Sequence, residues 1–192
     1  MSTESTPRMA VLTAGADLLA RHPLNSVQLS DVAKAADVTL EEVANDYPSI
    51  RRLAADVLDH ERASMRDVQR RAELEHSPVR RIVAAFRLVG ENLAADIVVR
   101  AGVRIASESR EQFPDRRIDP FQTWQSFVRG QLEEELAAGR RLAIGIERGT
   151  WLIVASGMGT KDLIAFSGDW DSAPEMLAQT ASDILELVVE FA

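Results

Sequence analysis

The chain has 192 residues, 46% of them hydrophobic, which suits one or two compact domains with a sizeable core and excludes a disordered chain. Its net charge of −8 and isoelectric point near 5.0 set the molecule as a whole against nucleic acid and anionic membranes, so a nucleic-acid role needs a local basic face. It has no cysteine, which excludes disulfides, thiolate metal sites and cysteine nucleophiles.

Residues 1–6 are polar and include Glu4, with neither the basic nor the apolar run of a signal peptide. No stretch approaches the roughly 18 apolar residues of a membrane span. The expectation is a soluble, cytoplasmic protein.

Helical periodicity then runs the length of the chain, broken where prolines and turn residues fall. A first helix is predicted over 7–22, with Val11, Leu12, Leu18 and Leu19 on its apolar face, and His22-Pro23-Leu24-Asn25 ends it. A short helix follows over 30–36, capped by Ser30. A tight Asp37-Val38 connection leads to a second short helix, capped by Thr39 and ending near Asn45 and Asp46. Ser49 caps a long helix reaching about residue 75. Further helices are predicted over 78–95, 97–107, 119–139, 147–166 and 172–191, with a polar loop over 110–119. That gives nine helices and an all-α fold. A small headpiece over 1–53 is followed by a larger helical domain over 54–192.

Two short helices joined by a tight turn after a longer one make a helix-turn-helix. The run Val27-Gln28-Leu29-Ser30-Asp31-Val32-Ala33-Lys34-Ala35-Ala36-Asp37-Val38-Thr39 supplies it, with Val32, Ala33, Ala36 and Val38 placed to pack the two helices. Here the sequence resembles the TetR family of transcriptional regulators. The stretches Val99-Arg100-Ala101-Gly102-Val103-Arg104-Ile105-Ala106 and Asp119-Pro120-Phe121-Gln122-Thr123-Trp124 resemble the γ-butyrolactone receptor branch of that family. The chain departs from the pattern at the turn, where Asp37 replaces the usual glycine. It departs again where Ala44 and Asn45 replace the aromatic pair that touches phosphates, leaving Tyr47, and where Ile50 replaces a lysine.

The resemblance implies a ligand-responsive regulator whose partners are duplex DNA and a small apolar, lactone-like effector that would release a repressor. The candidate DNA contacts are Lys34, Thr39, Asn45, Tyr47, Arg51 and Arg52. Charge argues against DNA. Residues 1–53 hold five basic side chains against seven acidic ones, and Glu41, Glu42 and Asp46 in the recognition helix face no lysine or arginine. The alternative is a TetR-fold protein that binds or transforms a small molecule without binding DNA.

In the second domain, the helix with Trp151, Leu152, Val154, Ala155 and Met158 and the one with Leu177, Ala181, Ile184, Leu185 and Val188 carry apolar stripes. The pattern alone fits intrachain core. The resemblance makes these helices the interface of a homodimer. Most aromatic residues here also read as core. Trp124 is the exception, since it resembles the tryptophan that lines the butyrolactone cavity and offers an apolar face with one N–H donor. With it, Phe86, Phe121, Phe127, Trp151 and Met158 complete the candidate ligand lining.

No catalytic motif appears. His22, His60 and His76 are scattered without metal-ligand spacing, and there is no nucleophile elbow, P-loop or dinucleotide loop, so no metal, cofactor or catalytic residue is assigned. The run Glu133-Glu134-Glu135, the pairs Arg70-Arg71 and Arg80-Arg81, and the ladder Asp96, Arg100, Arg104, Glu108 read as solvated faces.

Overall fold

A computed structural model describes residues 7–116 and 119–190. Among them are ten α-helices: α1 (Pro7–Arg21), α2 (Leu29–Ala36), α3 (Leu40–Asp46), α4 (Ile50–Ala72), α5 (Pro78–Ala95), α6 (Ile97–Ser107), the single turn α7 (Ser109–Gln112), α8 (Pro120–Ala137), α9 (Ile146–Ser167) and α10 (Ala173–Val188). Nine correspond to the nine expected; α7 lies in the stretch read as a loop. The last helix stops at Val188, because Val189 and Glu190 extend and pair antiparallel with Leu142 and Arg141. The expected end at Phe191 lies outside the described residues, as do residues 1–6, Arg117 and Ile118.

The chain packs as two compact units. The first runs to Ser64 and takes in the segment Asp96–Ile118; the second holds the remainder. These units do not follow the single cut expected after Leu53. The reason is α6, which packs on α1: Val98, Ala101 and Ile105 share one buried cluster with Val11, Ala16 and Leu19. Arg104 fastens this contact by donating to the carbonyls of Leu19 (3.0 Å) and His22 (2.7 Å) at the end of α1, where helix geometry leaves acceptors unpaired. The ladder from Asp96 to Glu108 is therefore only partly a surface feature. Asp96 caps α6 by accepting from the Val98 N–H (2.7 Å), and its other oxygen meets His60 Nε2 at 2.6 Å.

The helix-turn-helix sits in this first unit. α2 starts at Leu29 and its N-cap is Gln28 rather than Ser30; the Gln28 N–H donates to the Asp31 carboxylate at 2.9 Å. Asp37 then takes the left-handed conformation (φ 54°, ψ 45°), and the Val38 N–H reaches back to the Ala33 carbonyl at 3.1 Å. A short acidic side chain can occupy that region where most side chains cannot. Val32, Ala33 and Val43 close the core between the two helices.

In the second unit α5 packs along α10, while α8 packs on α5 and α9. A Cβ on Gly90 would lie 2.4 Å from Pro174 Cα and 2.5 Å from the Ala173 carbonyl, so α5 and the start of α10 meet backbone to backbone. Two of the supposed solvated charges are structural here. Glu135 is only 5% exposed; it accepts from the Val79 N–H at the start of α5 (3.3 Å) and pairs with Arg140 (3.2 Å). Arg81 donates to the Glu75 carbonyl (3.0 Å), Gln131 (3.3 Å) and Glu134 (2.8 Å). Burial is tolerated because each charge has a partner.

Two stability outcomes follow. Gly90→Ala should cost about 1–3 kcal/mol in chemical denaturation, since backbone rather than a flexible side chain must move. Asp37→Val should cost about 1–2 kcal/mol by placing a β-branched residue at positive φ, whereas Asp37→Gly should hold or raise the melting temperature.

Candidate functional site

Each unit carries one candidate site. In the first, α3 is held at its start by a reciprocal cap. The Glu42 N–H donates to Thr39 Oγ1 (3.2 Å), while Glu42 Oε2 accepts from both the Thr39 N–H and its hydroxyl, each at 2.8 Å. These bonds, the backbone one foremost, hold the Glu42 carboxyl below its ordinary range, so it is ionised at neutral pH. The cap's contribution is present above the carboxylate range and is lost as pH falls through the lowered value. Val43 faces inward and is fully buried, which turns Leu40, Glu41, Ala44 and Asn45 outward.

The expected DNA contacts distribute unevenly around this helix. Asn45 is exposed on α3, and Thr39 stands at its tip with its hydroxyl engaged by Glu42. Tyr47 does not belong with them. It is 1% exposed, a core side chain closing α3 on α1, and the Arg8 guanidinium lies over its ring at 5.3 Å. Lys34 is on the outer side of α2, lining an open groove with His22 and Asp31 over Leu18 and Val27.

Arg51 and Arg52 open α4, where Ser49 accepts from the Arg52 N–H at 3.2 Å. Arg51 lies over the Phe113 ring (5.1 Å) with Asp115 at 4.0 Å, and Arg52 pairs with Asp56 at 2.8 Å. Sequence reasoning missed Arg8, which binds the second Asp56 oxygen at 2.8 Å across 48 positions of chain. The Asp56 carboxylate thus gathers Arg8 and Arg52 together.

In the second unit the structure brings together three of the six expected ligand residues. Trp124 on α8 stands edge-on to Phe86 of α5 (centroids 6.5 Å, planes 74° apart) and to Phe127 (5.9 Å, 86°). Val68 and Ala72 of α4 and Ala85 of α5 form the buried floor against which Trp124 and Phe127 pack. Gly157 admits the Phe86 ring: a Cβ there would lie 2.4 Å from Phe86 Cε1.

Trp151, by contrast, is 59% exposed, and Phe121 also faces out. The inward face of α9 is taken by Ile153, Val154, Gly157 and Ile164, and Trp151 lies roughly 200° around the helix from Ile153. Met158 is half-buried on the same helix. A further polar group was not legible in the sequence. Gln69, on α4 beside Val68, buries its amide nitrogen without a hydrogen-bond partner, an uncommon and costly state.

Among the described residues no cluster of three or more His, Asp or Glu side chains could hold a metal ion, and no helix is long and apolar enough to cross a membrane.

No family sequence model matches the chain. No curated protein matches it in sequence. Solved structures do resemble it. The TetR-family protein CprB from Streptomyces coelicolor, in complex with its operator sequence, has a TM-score of 0.80 at 22% identity, covering 97% of this chain and 90% of CprB. A γ-butyrolactone receptor described as ArpA-like has a TM-score of 0.76 at 20% identity, covering 95% of this chain and 88% of the receptor. SmeT in complex with triclosan has a TM-score of 0.72 at 14% identity, covering 97% and 93%. Across nearly its whole length, the chain has the fold of TetR-family regulators, γ-butyrolactone receptors among them.

Proposed function

We propose that this protein is a ligand-responsive transcriptional regulator that works as a cytoplasmic homodimer, binding operator DNA through α3 and releasing it when a small apolar, lactone-like molecule occupies the second unit. The observation that carries this reading is the completeness of the helix-turn-helix. Its turn, its caps and its core are all in place, and the outer face of α3 is open. A recognition helix presented this way on a TetR-type fold enters a major groove.

The aromatic group of Phe86, Trp124 and Phe127 supports the effector role, with Gln69 as the donor for a ligand carbonyl. Exposed Trp151, Leu163 and Phe166 on α9, with Met176 and Leu187 on α10, support a dimer built on those two helices. The mechanism we propose is a hinge: ligand in the second unit shifts α4 and changes the spacing of the two headpieces of the dimer.

The second reading, a small-molecule-binding protein or enzyme without DNA activity, is favoured by the outer face of α3. It bears Glu41 and Glu42 with no cation, and Arg8, Arg51 and Arg52 are already paired with carboxylates.

Purified protein should bind duplex DNA from its own gene neighbourhood over a scrambled control, with affinity that weakens as salt rises. Absence of specific binding at low salt would leave the second reading. Trp124→Ala should weaken binding of an alkyl-substituted γ-butyrolactone roughly tenfold to a hundredfold while DNA binding persists. Gln69→Leu should do the same through the carbonyl, and equal affinity in both variants would move the effector site elsewhere.

A further inference from the structure

The acidic character of α3 constrains which base edges it can read. Its two N-terminal carboxylates are not equivalent. Glu42 is folded back on Thr39, so both residues are spent on closing the helix. Glu41 takes no part in that cap and is exposed. With Val43 buried, the outward side chains fall into two adjacent rows spaced four residues apart, Leu40 with Ala44 and Glu41 with Asn45, together spanning about 140° of the helix. Leu40 is 51% exposed, a large apolar side chain held in water on a helix whose inner face has room only for Val43. No lysine or arginine lies on α3 to bond the O6 and N7 acceptors of guanine.

We propose, on the DNA-binding reading above, that α3 reads an amino-and-methyl edge of the major groove: Glu41 accepts from cytosine N4, Asn45 pairs with adenine, and the Leu40–Ala44 row packs on thymine methyl groups. Each polar group then meets its complement. A carboxylate set against guanine acceptors would instead lose its water and gain repulsion. The half-site contacted by this helix therefore contains a cytosine whose 4-amino group is required and at least one thymine whose methyl group is required. Glu42 sets the start of the helix and reads nothing.

The test is selection of full-length protein on a pool of randomised duplexes at low salt, followed by sequencing, for the wild type and for Glu41→Gln, Glu42→Gln and Leu40→Ala. Circular dichroism confirms that each variant is folded. The wild type should enrich a motif with a fixed cytosine. Glu41→Gln should shift that position towards adenine, the base an amide pairs with, by roughly tenfold in relative affinity. Glu42→Gln keeps the cap, since glutamine serves there as well, and should leave the motif unchanged. In the selected site, a cytosine analogue lacking the 4-amino group should weaken the wild type about tenfold and Glu41→Gln far less. Uracil in place of thymine should weaken the wild type and have little effect on Leu40→Ala.

An enriched motif that lacks the cytosine, or one that moves with Glu42→Gln and not with Glu41→Gln, overturns this assignment while DNA recognition stands. Enrichment of no motif at all overturns the DNA-binding reading itself, and the assignment with it.

Discussion

An α-helix ends with carbonyls that nothing within it can satisfy, and the first unit is organised around the answer to that problem at the end of α1. The answer comes from α6, more than eighty residues later, through the two hydrogen bonds of Arg104. The same contact buries the apolar face of α6 on α1, and α1 in turn supports α2 and α3. A segment that belongs by sequence to the larger domain thus completes the headpiece. Asp96 repeats the logic at the other end of α6, satisfying free N–H groups there while engaging His60 of α4. The helix-turn-helix is thus supported by polar groups that close helix ends as well as by its apolar core.

The second unit follows a related rule with different chemistry. Glycine lets two backbones meet at Gly90 and Pro174, and at Gly157 it makes room for the Phe86 ring. The buried charge of Glu135 is met at a helix start by the Val79 N–H and neutralised by Arg140. The aromatic cluster differs from the surrounding core in being half-open: Trp124 and Phe127 are only partly buried, although their neighbours Val68, Ala72 and Ala85 are closed off. Such an apolar floor with incompletely covered aromatic walls is what the proposed ligand would cover.

Much of this fold was legible in the sequence because its determinants are local. Two helix ends are written in Thr39 and Ser49, and the structure places a capping hydrogen bond at each. What the sequence did not disclose depends on partners distant in the chain. Glu135 sits in a run of three glutamates that reads as solvated, and only the start of α5 shows why one of them is buried. Arg104 has a ready partner four residues on in Glu108 at 3.3 Å, which hides its longer reach to α1. Trp151 looked like a wall of the ligand site because aromatic residues on apolar helices usually point inward; the helical phase set by Ile153 and Gly157 turns it out. Tyr47 is expected at the DNA because it is what remains of the aromatic cluster the resemblance implies, but it is the plug of the first unit's core.

The pairing at Asp56 joins two helices through one anion. Its carboxylate holds Arg8 of α1 and Arg52 of α4 at 2.8 Å each. Two guanidinium groups brought together repel one another, and a shared carboxylate turns that repulsion into a tie. Any other anion that draws off either arginine must first compete with Asp56, so neither cation is open to an arbitrary ligand.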